Sequence, residues 1–183
     1  MEKRATYPVD IAGVHRELRL FEIKPGLRIA ILNILGDTEF TVACARELAK
    51  RLESLDYDVV ITAEAKSIPL AHAVSVEAKK PYVILRKAYK PYMGAALQAE
   101  TLSITTGKPQ TLYLDEKDFA LLDGKKVVIL DDVVSTGSTL QGMKMLISKA
   151  KGEVVGVAAI FTEGERAKWA DIIALGHLPV FTD

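Results

Sequence analysis

The 183-residue sequence predicts an α/β fold, a mostly parallel sheet flanked by helices within one domain spanning residues 1–183. Three observations predict it. Strand-like and helix-like segments alternate along most of the chain. The run Val127-Val128-Ile129-Leu130 is continuously apolar and rich in β-branched residues, as expected of a strand covered on both faces. That strand leads through Asp131-Asp132 into a hydroxyl-rich turn around Gly137, and open α/β sheets bind ligands beyond the carboxyl ends of their strands.

Taken in order, the elements justify that class. Asp37 is a helix N-cap with Glu39 in the first turn, and Val42, Ala45, Leu48, Ala49, Leu52 and Leu55 recur at helical spacing after it. Val59–Thr62 is a short buried strand that runs into Glu64-Ala65-Lys66-Ser67. Pro69–Ala78 reads as a helix that tolerates proline in its first turn, and Tyr82–Leu85 as the next strand. Thr139–Ala150 is helical with Leu140, Met143, Leu146 and Ile147 inward, and Gly152 stops it. Val154–Phe161 is a further strand and Ile172–Leu175 an edge strand. Residues 88–114 break the rhythm. Leu102, Ile104, Thr111 and Tyr113 alternate around Thr106-Gly107-Lys108-Pro109, which reads as a β-hairpin or flexible flap, and long insertions of this kind in compact domains are usually functional.

Composition narrows the function. Lys plus Arg and Asp plus Glu are both 24, so no global basic field points to nucleic acid. No apolar run approaches the roughly 18 residues that span a bilayer, and no apolar signal core follows the charged start Met1-Glu2-Lys3-Arg4. Cys44 is the sole cysteine, which suits a small core residue, excludes an intrachain disulfide and fits a cytoplasmic setting. His15, His72 and His177 stand singly, without metal-ligand spacing.

The chemistry concentrates in residues 127–139. A helix start offers unpaired backbone N–H groups and partial positive charge. Ser135, Thr136, Ser138 and Thr139 add hydroxyls, and Gly137 admits close backbone approach, which together suit a phosphate dianion. Asp131 and Asp132 would repel that phosphate unless they face sugar hydroxyls or a magnesium ion, so the pattern suggests a ribose 5-phosphate. The Gly-Lys-Ser/Thr ending of a Walker loop is missing, which disfavours nucleoside triphosphate hydrolysis.

This run resembles the signature of the type I phosphoribosyltransferases. The resemblance extends from about Phe21 to the C-terminus and implies that family's fold, with an N-terminal hood over residues 1–36 and a flap over 88–114. It implies that Ser135, Thr136, Gly137, Ser138 and Thr139 hold the 5′-phosphate of 5-phosphoribosyl-1-pyrophosphate, and that Asp131 and Asp132 act at the ribose. Glu64-Ala65-Lys66-Ser67 is similar to the pyrophosphate loop of the purine branch, with Ser67 where glycine is usual and with a non-proline cis peptide placed by analogy at Ala65–Lys66. Arg86 and Lys87, with Lys90 nearby, resemble cations that neutralise the leaving pyrophosphate in the adenine and xanthine enzymes. Pro25-Gly26, Leu35-Gly36-Asp37 and Glu163-Gly164-Glu165-Arg166 with Trp169 are similar to the adenine enzymes.

Two departures accompany the resemblance. The flap glutamate expected before Gly107-Lys108 is replaced by Thr105-Thr106, which leaves Glu100 as the nearest acid, and the spacing to Asp131 is similar to the xanthine enzymes. Leu27-Arg28-Ile29-Ala30 replaces an aromatic-Arg-Asp, leaving Arg28 and Ile29 as base-binding candidates. The expected activity is a homodimeric purine salvage transferase, adenine to AMP first, with Mg2+ held by substrate oxygens and no direct protein ligand. Xanthine or hypoxanthine/guanine is the alternative base. A non-catalytic regulator sensing the same sugar is a third reading; the short segment before Phe21 leaves no room for the winged helix such regulators carry.

Overall fold

The computed structural model describes residues 5–102 and 109–182. Three strands, β1 (Thr6–Ile11), β2 (Val14–Lys24) and β3 (Leu27–Ile31), come first, followed by α1 (Thr38–Leu52), β4 (Val59–Ala63), α2 (Ile68–Ala78) and β5 (Tyr82–Leu85). The hairpin β6 (Leu97–Leu102) and β7 (Pro109–Leu114) precedes β8 (Lys126–Val134), α3 (Ser138–Lys149), β9 (Glu153–Glu163), β10 (Ile173–Leu178) and β11 (Val180–Thr182).

The central sheet has five parallel strands in the order β10-β9-β8-β4-β5. Alternate residues of its strands serve two cores. Val60, Val128 and Leu130 pack with Phe40, Leu48, Leu70 and Val74 of α1 and α2. Val59, Ile61, Val127 and Ile129 pack with Met143, Leu146 and Ile147 of α3 and with Leu112 of the hairpin. Both faces are covered, which is why β4 and β8 lack polar–apolar alternation.

Chain order reverses between β4 and β8. From β4 the chain winds outward through α2 to β5, and from β8 it winds the other way through α3 to β9. The gap between two such neighbours, at their carboxyl ends, is where α/β sheets place ligands. β8 differs from its expected length. It continues through Asp131 and Asp132 to Val134 because β9 pairs with it as far as Val134↔Thr162, whereas pairing to β4 stops at Ile61↔Ile129. The two aspartates therefore lie where β4 peels away, on a strand still held from its other side.

A separate antiparallel sheet, ordered β1-β2-β3-β11, joins the start of the chain to its end. Sequence patterning missed it, since Val9, Leu18 and Ala30 are its only core residues and charges occupy much of β2. Arg16 ties this sheet to α1. Its guanidinium donates to both oxygens of Asp37, at 2.7 and 2.9 Å, and to Glu39 at 2.7 Å, while Asp37 Oδ1 accepts the Phe40 N–H at 3.2 Å and caps α1. That guanidinium holds the Asp37 carboxyl below the usual carboxylate range. Cys44 is fully buried in α1, and burial pushes its thiol up to about 12, leaving it inert.

Candidate active site

The switch point brings together two strand-to-helix loops. On β8, the turn after Val134 and the start of α3 enclose a small cavity of 40 Å³ lined by Asp131, Ser135, Thr136, Gly137 and Thr139. Gly137 sits at the N-cap of α3 with φ 81° and caps nothing itself, while the Ser138 N–H makes a long, 3.5 Å bond to the Thr136 hydroxyl. The next N–H groups of the first turn remain available to a ligand. A Cβ on Gly137 would lie 2.9 Å from the Trp169 ring, so the indole seals the loop's outer side. Ser138 does not line the cavity; its hydroxyl is 3.1 Å from that of Thr136 and orients it.

Asp131 and Asp132 are successive residues of β8, and both carboxylates reach the same Ser67 hydroxyl. Asp131 faces the cavity. Burial first, and the neighbouring Asp132 charge second, raise its carboxyl to about 7. Asp132 is buried and its Oδ2 lies 2.9 Å from the Lys66 ammonium. Between them stands Ser67. Its hydroxyl donates to Asp131 Oδ1 at 2.8 Å and lies 3.1 Å from Asp132 Oδ1, and the Asp132 N–H donates back to it at 2.9 Å.

The second loop, after β4, is braced by its own side chains. Glu64 accepts from Arg86 Nε at 2.7 Å and from the Lys87 N–H at 2.6 Å, and its own N–H donates to Leu85 O at 2.9 Å. Lys66 donates to Leu32 O at 3.2 Å besides its contact with Asp132. The cis peptide of this loop is Glu64–Ala65, one bond earlier than analogy placed it. The turn starts directly at Glu64, which is still tied to β5. Arg86 thus joins the site through Glu64. Lys87 and Lys90 are exposed and line neither cavity described here.

A larger cavity of 440 Å³ adjoins the phosphate-loop cavity through Ser135 and Thr136. Ile23, Leu27, Ile29 and Val180 give it apolar walls, and Lys24 and Glu163 give it charge. Ile29 therefore reaches this space, whereas Arg28 alternates onto the other side of β3. Glu163 was not singled out as a site residue from sequence. Burial raises its carboxyl and the Lys66 charge opposes that rise; its place at the end of β9, one strand from the aspartates, is the signal that could have found it. Glu100 is exposed on β6, paired with Thr111, and lines neither cavity. Thr105, Thr106, Gly107 and Lys108 lie outside the described residues. His177 is satisfied internally, Nε2 facing Gly164 O at 3.0 Å and Nδ1 facing the Thr162 hydroxyl at 2.9 Å.

Residues 32–175 match the family model described as the phosphoribosyl transferase domain. The chain belongs to this family. It is 31% identical over 152 residues to adenine phosphoribosyltransferase of Thermosipho africanus, covering 82% of this chain and 85% of that one. It is 33% identical over 129 residues to hypoxanthine/guanine phosphoribosyltransferase of Methanococcus voltae, covering 69% and 65%. It is 29% identical over 138 residues to the purine biosynthesis transcriptional repressor PurR of Bacillus subtilis, covering 75% of this chain and about half, 48%, of that one. Among solved structures, adenine phosphoribosyltransferase of Thermoanaerobacter pseudethanolicus shares the fold, with a TM-score of 0.70 at 24% identity over 87% of this chain and 95% of that one.

No three His, Cys, Asp or Glu side chains gather as a metal cage among the described residues, and no described helix is long and apolar enough to cross a membrane.

Proposed function

We propose that this chain is a purine phosphoribosyltransferase that joins adenine to 5-phosphoribosyl-1-pyrophosphate, releasing AMP and pyrophosphate. The observation that carries the proposal is the cavity shared by Asp131 and the loop 135–139, opening beside a larger, mainly apolar cavity wide enough for a purine. The α3 amides and the hydroxyls of Ser135, Thr136 and Thr139 receive the 5′-phosphate. Asp131 accepts hydrogen bonds from the ribose hydroxyls, and Asp132 backs it through Ser67. The loop at Ala65, Lys66 and Ser67, braced by Arg86, faces the pyrophosphate. Ile29, Leu27 and Val180 flank the base, with Glu163 at its edge.

In the reaction the C1′–O bond breaks and pyrophosphate departs with its electron pair. A purine nitrogen bonds C1′ and gives up its proton to water. The transition state is oxocarbenium-like, so positioning and fixed charge supply the acceleration. The acids fit an ion that arrives with its substrate. Asp131 Oδ1 is engaged by Ser67 and Asp132 Oδ2 by Lys66, so a divalent cation would be held mainly by substrate oxygens and water, for which magnesium would be suited. Such an ion would supply positive charge to the leaving pyrophosphate. We extend the proposal to a cytoplasmic homodimer with residues 1–36 as a hood and 88–114 as a flap.

Pyrophosphate release with adenine, hypoxanthine, guanine and xanthine tests the reading. Release with adenine above the others is the expected result. Preference for a 6-oxopurine moves the assignment to the alternative that the flap spacing favours. Tight sugar binding without release from any base sinks the enzyme reading in favour of a PurR-like sensor.

A further inference from the structure

We propose that Ser67 is a positioning residue that fastens the ribose-binding strand end to the pyrophosphate loop, so that the two halves of the sugar site are assembled before the ligand arrives. The proposal rests on the reading of Asp131 as the ribose-binding acid.

Two independent observations support it. First, Ser67 occupies the N-cap of α2, where a serine ordinarily accepts an N–H from the first helical turn. Here it makes no such bond. The Ala71 N–H reaches the Ser67 carbonyl at 2.9 Å, so the helix starts normally, and Pro69 has no N–H to offer the hydroxyl. The hydroxyl is committed elsewhere. Second, it is 2% exposed and meets three polar atoms of the neighbouring strand: Asp131 Oδ1 at 2.8 Å, Asp132 Oδ1 at 3.1 Å and Asp132 N at 2.9 Å.

A hydroxyl has one proton and two lone pairs. It can donate to one carboxylate oxygen at a time while accepting the Asp132 N–H, so it stands as a neutral wedge between two acids that would otherwise repel. Together with the Asp132 N–H, which also donates to Asp131 Oδ1 at 2.9 Å, it holds that oxygen and leaves Oδ2, which accepts no hydrogen bond among the described residues, for the sugar. The other groups facing this knot are Lys66 from the same loop, against Asp132, and Glu163 from β9, near Lys66. The glycine usual at this position in the purine branch has no side chain with which to make these bonds.

Ser67→Gly removes the hydroxyl at a helix position where glycine is well tolerated, and Ser67→Thr retains it. Both are compared with wild type by calorimetric titration with 5-phosphoribosyl-1-pyrophosphate in the absence of purine, by steady-state kinetics and by thermal melting. Ser67→Gly is expected to weaken binding and raise KM for the sugar about tenfold, with kcat changing less, the effect of losing one hydrogen bond to a charged group. Ser67→Thr is expected to recover most of that loss. Binding by Ser67→Gly within twofold of wild type overturns the proposal, as does a lower melting temperature with binding unchanged, which assigns Ser67 to helix support alone. Absence of binding by wild type overturns the underlying functional reading instead.

Discussion

The loops after β8 and β4 occupy equivalent places on neighbouring parallel strands, yet they are built in opposite ways. The β8 loop is open. Its N-cap glycine makes no cap bond, the nearest side-chain acceptor being the Thr136 hydroxyl at 3.5 Å from Ser138 N, and Ser135, Thr136 and Thr139 line a cavity. The β4 loop is closed by its own contacts: Glu64 to Arg86 and Lys87, Lys66 to Leu32 and Asp132, Ser67 to both aspartates. A receptor for an anion must leave donors unspent, whereas a support must spend them. On the proposed function, the β8 loop is the part that would grip the sugar phosphate and the β4 loop the part that would shape the site.

The largest effect is therefore expected on β8. Asp131→Asn or Thr136→Ala should lower turnover by about two to three orders of magnitude while leaving the circular dichroism spectrum unchanged. Wild-type rates in either would put the grip elsewhere.

Gly137→Ala should come next. The residue needs φ 81°, and the new methyl would press on Trp169. A loss of about 1–2 kcal/mol in stability to denaturant, together with weaker sugar binding, is expected.

Lesions of the β4 loop should be selective. Arg86→Ala, which frees Glu64, should weaken binding of 5-phosphoribosyl-1-pyrophosphate roughly tenfold. It should leave ribose 5-phosphate, which lacks the pyrophosphate, nearly unaffected. Equal losses for both ligands would erase the distinction between the loops.

A fourth expectation concerns pH. The Asp131 carboxyl ionises near 4 in an unfolded chain and is raised to about 7 in the fold, by burial first and by Asp132 second. The native state holds the extra proton across that interval, so this contribution to stability is full below about 4 and is lost as pH rises to 7 and beyond. The melting temperature of the ligand-free protein should fall over that range, and Asp131→Asn should flatten the fall. Sugar binding should strengthen over the same range, since the ionised form accepts hydroxyls. The smallest effects, under about twofold in kcat/KM, are expected for Lys90→Ala and Glu100→Gln, both exposed and outside the two cavities.

Residues 127–139 were legible in the sequence because one local run encodes strand, acids and turn together. Long-range features were not. That Asp132 turns to Lys66 while Asp131 turns to the cavity follows from where β4 stops pairing, which no local pattern records. The bonds of Ser67 to both aspartates are visible only once the strand beside it is placed. Glu163 and Ile29 meet only because the end of β9 and the antiparallel sheet converge, and that sheet buries too few residues to leave a strong alternation.

The sole tryptophan of the chain, Trp169, rests on the glycine of the β8 loop, so its emission reports on that loop directly. Titration of the wild-type protein with ribose 5-phosphate should give a saturable change in Trp169 fluorescence that Thr136→Ala abolishes. No change in wild type, or an equal change in Thr136→Ala, would contradict the assignment of this loop as the sugar-phosphate receptor.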